Sequence, residues 1–356
     1  MRNHCYTVCR TRTNRRRLTY GIDPNTAMNF SRTRRLALCV VISAIPILQV
    51  CAQPKSHPGR QLVVFHAGSL TVPFDRIIAG FKQEHPGVEV LREIAGSRDC
   101  ARKISELHQP CDVFASADYK VIDNLLIPEY ADWDLKFATN EMSIVYTDKS
   151  RRSNEINAQN WYDILLDPTV AFGRSDPNAD PCGYRTILTT ELAERYYGKP
   201  RLADQLIRKD VEYIRPKEVD LLGLLEIGEL DYIFIYRSVA VQHKLRYIAL
   251  PDEINLKDPG REDYYGQVSV ELNGKKPGEK IIQRGESMVY GVTIPKNSPN
   301  PDLAAAFVHY LMEKDKGMKV MEDMGQPSVV PAACPEYDKL PAGLKPFATK
   351  PGKSPR

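Results

Sequence analysis

Short apolar runs alternate with amphipathic segments along most of this chain. Residues 61–67 (QLVVFHA) read as a short buried strand, and AGSL turns the chain. Phe74, Ile77, Ile78 and Phe81 then recur at helical spacing, with Pro73 at a tolerated first-turn position. His85-Pro86-Gly87 ends that helix. Val88 to Ala95 is a second strand, followed by GSRD and a helix whose apolar face carries Ala101, Ile104 and Leu107. Asp112-VFASA gives a third strand. The extended segment LKFATNEMSIVYT (135–147) exceeds the usual strand of about 5–6 residues and is expected to cross between lobes.

The second half repeats the theme. TVAFGRS is a strand and PCGYRTILTTELAERYY a helix; EVDLLGLLEIGEL is a Leu-rich helix with Gly228 near its end. DYIFIY, SVAVQHKL and RYIALP read as strand, helix and strand, with a second crossing expected at Ala249 to Pro251. Residues 252–280 read as Gly/Pro/Asp-rich loop. SMVYGVTIP is a strand, and PDLAAAFVHYLME and KDKGMKVMEDMG are amphipathic helices. Repeated βα units predict an α/β architecture with ligand at strand C-termini and helix N-termini. No internal repeat of fixed period points to a solenoid.

The 356 residues suffice for two domains or one large one, and only one long apolar run exists, which excludes a polytopic membrane protein. The formal charge of +4 is unevenly placed. Residues 1–51 hold nine Arg and one acid, Asp23, so the remainder carries 40 basic and 44 acidic groups. A body of net negative charge argues against nucleic-acid binding, which needs a phosphate-neutralising surface. Arg32 to Arg35 followed by the apolar run Leu36–Val50 read as a secretory signal, with Met28 as the expected true start. Leu48-Gln49-Val50-Cys51 matches a lipoprotein box, although Val50 replaces the usual small residue. Lipid anchoring at Cys51, free secretion after cleavage near Ala52, and an uncleaved signal anchor all stay open.

Four Cys lie in the body: Cys100, Cys111, Cys182 and Cys334. No CxxC is present, and both a Cys100–Cys111 bridge and buried free thiols are compatible with the spacing. The sequence holds no Walker A, G-x-S-x-G or H-E-x-x-H motif, and its seven His are scattered; His243 is expected on a helix surface.

Candidate chemistry concentrates at four strand-to-helix junctions: His66–Pro73, Ile94–Asp99, Ser175–Arg185 and Tyr236–Ala240. Each places Gly, Ser or Asp-Pro at a helix start. Free N–H groups there carry the positive end of the helix dipole, and Ser adds a hydroxyl donor. Ordinary N-capping is the competing explanation for any single junction. Two A-G-S turns after strands set an anion cleft built without Lys or Arg beside that explanation as an equal alternative.

The motifs HAGSLTVPF, AGSRDCARKI, SDPNADPCGYR, RPKEVDLL and DYIFIYRSVAVQH resemble the tungstate/molybdate-binding proteins of ABC importers, the archaeal WtpA/ModA group. The resemblance covers roughly 62–331. It implies a two-lobed type II periplasmic-binding-protein fold, with mixed sheets flanked by helices and the ligand in the interlobe cleft. The implied layout is a leader over 1–51 and a tether over 52–60. Lobe 1 follows over 61–140 and lobe 2 over 141–249. A return to lobe 1 with closing helices spans 250–335, and a loose tail 336–356. The protein is then expected outside the cytoplasm, as a monomer and not an enzyme. It would have no resident cofactor and would work with a membrane permease and its ATPase.

Carried over by motif, the implied oxyanion contacts are Gly68, Ser69, Ser97, Asp180, Pro181, Cys182, Glu218 and Tyr236, with Pro181 and Cys182 acting through backbone. Two carboxylates suit neither sulfate nor phosphate, because they repel an oxyanion. They make sense if Asp180 and Glu218 each donate an oxygen to the hard, large Mo(VI) or W(VI) centre, raising four-coordination towards six as the resemblance implies. A helix N-terminal carboxylate favoured by the dipole is the simpler account of Glu218 alone. Two rivals remain. A ferric or sulfate binder would, for iron, use Tyr196-Tyr197 and Tyr264-Tyr265, and an exported thiol enzyme would use Cys182.

Overall fold

A computed structural model of the chain describes residues 60–352. The leader, Met28 and Cys51 lie outside the described residues, as does the end of the tail. In chain order the first part runs β1 (Arg60–Ala67), α1 (Thr71–Glu84), β2 (Val88–Ala95), α2 (Ser97–Ser105), β3 (Val113–Ser116), α3 (Tyr119–Leu125) and β4 (Leu135–Thr139). The second part runs β5 (Met142–Tyr146), α4 (Trp161–Leu166), β6 (Phe172–Ser175), α5 (Pro181–Tyr196), α6 (Leu202–Lys209), β7 (Ile214–Arg215), α7 (Asp220–Glu226), β8 (Tyr232–Tyr236), α8 (Arg237–His243) and β9 (Arg246–Ala249). The chain closes with α9 (Glu262–Tyr265), β10 (Ser269–Asn273), β11 (Lys280–Arg284), β12 (Val289–Thr293), α10 (Pro301–Met312), α11 (Gly317–Asp323), β13 (Ala332–Ala333) and β14 (Ala348–Thr349).

Two five-stranded mixed sheets organise these elements, in the orders β2-β1-β3-β12-β4 and β7-β6-β8-β5-β9. Each has a parallel trio (β2, β1, β3 or β7, β6, β8) followed by a strand running against it. The first sheet is covered on both faces. Leu62, Val64, Val113 and Ala115 join Phe74, Ile77, Phe81 and Phe307 in one cluster, while Phe65 and Phe114 face Ala101, Ile104, Ile122 and Leu125 in another. That alternation follows from the period of two along a strand. Phe74, Ile77 and Phe81 recur on one helical stripe and are fully buried. Side chains of that size contribute about 1.5–3 kcal/mol each on burial.

Register decides where the functional turns sit. β1 and β2 pair from Arg60↔Val88 through to Ala67↔Ala95, so both strands end at the same level and both A-G-S turns leave from one edge. In the second sheet Ser175↔Arg215 ends the β6–β7 pair, which sets the turn into α5 beside the turn into α7. The extended segment too long for a single strand does cross, as two strands: β4 belongs to the first sheet and β5 to the second, and the chain passes between them at Asn140-Glu141.

Other expectations need correction. Leu107 is 64% exposed, because α2 ends at Ser105 and leaves it beyond the buried face. The stretch 252–280, read as loop, contains α9 and half of the antiparallel β10–β11 hairpin. Its Gly and Pro residues mark the turns of that hairpin and hid its alternation. The described part of the tail is not loose. β14 pairs in parallel with β13, and Leu340 and Leu344 are buried. Cys100, Cys111, Cys182 and Cys334 are all buried free thiols.

Candidate functional site

The first sheet supplies two turns. β1 runs into a short 3-10 turn, Gly68–Leu70, and then into α1. The Thr71 hydroxyl donates to Gly68 O at 2.7 Å and holds that turn. Ser69 Oγ and Tyr290 Oη lie 3.0 Å apart. Ser97 is the first residue of α2 and is fully buried. Its Oγ accepts from Ala117 N at 3.0 Å, which leaves its own O–H free to donate elsewhere.

The second sheet supplies the acids. Asp180 caps α5, with Pro181 at a favoured first-turn position. One Asp180 oxygen accepts from Cys182 N at 3.3 Å and the other from Glu218 N at 3.0 Å. Both carboxyls are fully buried, and no protein donor pairs with either Glu218 oxygen. The two groups face one another. Burial pushes both above the usual carboxylate range, and for Glu218 the neighbouring Asp180 adds to the rise. Leaving a buried carboxyl without partners costs stability, so this is a spot where folding has been compromised for another end.

The two sets meet. Arg98 N and Asp99 N, at the start of α2, donate to Ala179 O at 3.0 and 3.2 Å. A Cβ built on Gly96 would stand 2.3 Å from Ala179 O, and one on Gly68 would stand 2.8 Å from Glu218 Oε2. At Gly96 the close approach of backbone requires glycine, and at Gly68 the space a Cβ would take is filled by the Glu218 carboxylate and a Val219 methyl. Gly68, Ser69, Asp180 and Glu218 are therefore gathered at one seam between the sheets. Ser97 follows Gly96, which abuts Asp180. Tyr236 closes β8, fully buried, and its hydroxyl accepts from Arg185 Nη1 at 3.1 Å. Pro181 and Cys182 contribute the buried first turn of α5.

Cys182 and two of the four paired tyrosines are committed to other contacts. Cys182 Sγ donates to Phe234 O at 3.6 Å, and burial with Asp180 nearby holds the thiol well above its ordinary range. A neutral buried thiol is a poor nucleophile. The hydroxyls of Tyr197 and Tyr265 donate to the backbone carbonyls of Ala158 and Asp252, as packing tyrosines do. His66 is a core histidine, its pKa pushed down to about 4 by burial, and His243 is exposed. Among the described residues no group of three or more His, Cys, Asp or Glu is arranged to hold a bare metal ion, and no helix is long and apolar enough to cross a membrane.

Several seam residues carry no motif signal. Asn140, at the crossing, donates through Nδ2 to Ser238 Oγ at 2.7 Å and Tyr290 Oη at 2.9 Å. It thus ties Ser69's partner to the start of α8. Its one visible mark in the sequence is a polar residue breaking an apolar extended run. Asp118, which pairs across the seam at 3.0 Å with Arg185, the last residue of the SDPNADPCGYR motif, was equally silent.

Comparison with known proteins follows the same lines. The model for bacterial extracellular solute-binding proteins matches residues 62–325. A solute-binding protein of Petrotoga mobilis is 51% identical over 291 residues, 81% of this chain and 89% of that one. The molybdate/tungstate-binding protein WtpA of Thermococcus kodakarensis is 42% identical over 312 residues, 80% of this chain and 86% of that one. Among solved structures, the sulfate-binding protein SubI of Mycobacterium tuberculosis superposes with a TM-score of 0.56 at 14% identity, over 76% of this chain and 87% of that one. The periplasmic molybdate-binding protein of Azotobacter vinelandii gives 0.54 at 16%, over 76% of this chain and 99% of that one. These two share the fold. The chain belongs to the family of bacterial extracellular solute-binding proteins and is homologous to archaeal WtpA proteins: it is an extracytoplasmic, non-catalytic binding protein of mixed α/β fold.

Proposed function

We propose that this protein captures tungstate or molybdate between its two sheets and delivers it, as a monomer, to a membrane permease driven by an ATPase. Asp180 and Glu218 each give one oxygen to the metal centre. Ser69, Ser97 and Tyr236 donate hydroxyl protons to the oxo groups, and the N–H groups near Gly68 and at Cys182, with the Pro181 backbone beside them, line the rest of the shell. The ion is cargo, and no resident cofactor is required.

The observation that carries the reading is the pair of buried carboxyls beside the neutral donors of the glycine turns and of Ser69 and Ser97. Sulfate has no use for two such groups, since sulfur(VI) is too small to accept further oxygen donors. Tungsten(VI) and molybdenum(VI) are large enough and take hard oxygen ligands. The name of the Thermococcus relative points the same way. Closure follows, because a ligand touching both lobes stabilises the form in which both are in reach.

Calorimetric titration of the mature protein with tungstate, molybdate, sulfate and ferric citrate tests this. Tight binding of the first two with at least about 100-fold weaker sulfate binding is expected, a difference of about 2.8 kcal/mol. Equal sulfate affinity defeats the coordination argument, and exclusive ferric binding replaces it.

A further inference from the structure

Arg185 lies one turn into α5, in the second lobe, and only 2% of it is exposed. A guanidinium buried so deeply needs an opposite charge and hydrogen-bond acceptors close by, or desolvation would make it untenable. Its partners lie mostly on the other lobe. Nη2 stands 3.0 Å from Asp118 Oδ2, and Nη1 donates to Ala117 O at 2.8 Å. Asp118 and Ala117 sit in the turn between β3 and α3. The adjacent Tyr184 hydroxyl donates to the same Asp118 oxygen. The other oxygen, Asp118 Oδ1, accepts from Lys120 N at 2.9 Å and caps α3. One carboxylate therefore serves two purposes: one oxygen holds its own helix, and the other is held by the opposite lobe.

The same guanidinium reaches the candidate ligand contacts of both lobes. Nη1 also donates to Tyr236 Oη at 3.1 Å, so the phenol accepts there and its own proton is left to donate. On the other side, Ala117, whose carbonyl Arg185 holds, is the residue whose N–H binds Ser97 Oγ. Both hydroxyls are thereby fixed as donors by one side chain that spans the seam.

We propose that Arg185, with Asp118 and Tyr184, is the closure latch of the binding cycle. It is a positioning group that forms only when the lobes meet and that then aims the Tyr236 and Ser97 hydroxyls at the bound oxyanion. It touches neither the metal nor its oxygens. In an open form, Asp118 and Arg185 are free to be hydrated, so the pair acts on closure and not on the folding of either lobe. This inference rests on the cleft being the oxyanion site.

The test uses the mature protein with Asp118→Asn, which keeps the cap on α3, and Tyr184→Phe, which removes one donor to Asp118. Tungstate affinity, the tungstate-induced fall in radius of gyration by X-ray scattering, the tungsten L3-edge spectrum at saturation and the ligand-free melting temperature are measured for each. Asp118→Asn leaves the Arg185 charge unpaired in the closed form, so tungstate binding is expected to weaken by about tenfold or more, with partial compaction. Tyr184→Phe is expected to weaken binding by a few fold. The L3-edge spectrum and the ligand-free melting temperature are expected to stay at wild-type values. Affinity within twofold of wild type for Asp118→Asn overturns the latch. So does a fall in ligand-free melting temperature that parallels the loss of affinity, since that is the mark of a merely structural pair. Wild-type protein that takes neither tungstate, molybdate nor sulfate refutes the cleft reading itself, and the latch falls with it.

Discussion

The two sheets are built to one plan and equipped for opposite jobs. Each has a parallel trio whose strands end at a common edge, joined by an antiparallel strand. The first sheet offers glycine turns and hydroxyls there: Gly68, Ser69 and Ser97. The second offers acids, Asp180 and Glu218, together with Arg185, a buried cation that reaches across the seam. A common scaffold thus fixes where groups point, and the junction residues fix what chemistry they perform. Neutral donors alone would make a general oxyanion site. Acids alone would repel any anion. Brought together, they suit an ion whose rim is negative and whose centre accepts electrons.

Breaking the acidic half is expected to have the largest effect. Glu218→Gln keeps the shape of the side chain and removes the anionic donor, so tungstate affinity should fall by about 100-fold or more, about 2.8 kcal/mol, in a calorimetric titration. Keeping all the chemistry while holding the halves apart should cost nearly as much. A Cβ on Gly96 meets Ala179 O at 2.3 Å, across the seam, and the backbone there, at φ −58°, accepts alanine freely. Gly96→Ala should therefore weaken tungstate binding by about 10–100-fold with the ligand-free melting temperature unchanged. On the neutral half, Ser69→Ala removes one hydroxyl and leaves Tyr290 Oη bonded to Asn140, so a loss of about 1 kcal/mol in binding is expected.

The smallest effect on binding is expected from a second carboxyl pair, which sharpens the contrast. Asp134 and Asp123 lie together in the first lobe, and burial, with Asp123 adding to it, pushes Asp134 up to about 8. Its stability contribution is complete below the unfolded value near 4 and is lost as pH rises through about 8. Melting curves of the wild type should show stability declining between pH 5 and 8, and Asp134→Asn should flatten that decline while tungstate affinity stays within twofold. Loss of binding in this variant would mean that buried carboxyls act on the cleft from a distance and that the Asp180–Glu218 pair is not special.

Much of this was legible in the chain. The strand-turn-helix junctions announced themselves through A-G-S and D-P-C-G, because a helix start needs caps and close approaches need glycine. The parallel strands read as compact apolar runs because both faces are covered. Asn140 was illegible because its role comes from lying between two sheets, which no local pattern records. Asp118 caps α3 with one oxygen; its second oxygen faces a residue 67 positions away, Arg185, that only the folded chain brings near. The hairpin within 252–284 was hidden by Gly274, Pro277 and Gly278, whose turn chemistry outweighed the strand alternation on either side. Burial of the tail at Leu340 and Leu344 is likewise tertiary, since apolar residues spaced among Pro and Lys carry no periodic signal.

The central claim is that the carboxyls of Asp180 and Glu218 bind the metal atom itself. Tungsten L3-edge absorption on the loaded wild-type protein measures this directly. About six oxygen neighbours, falling towards five in Glu218→Gln, is the expected result. Four neighbours in both, the count of free tungstate, would contradict it and leave the acids without a role in recognition.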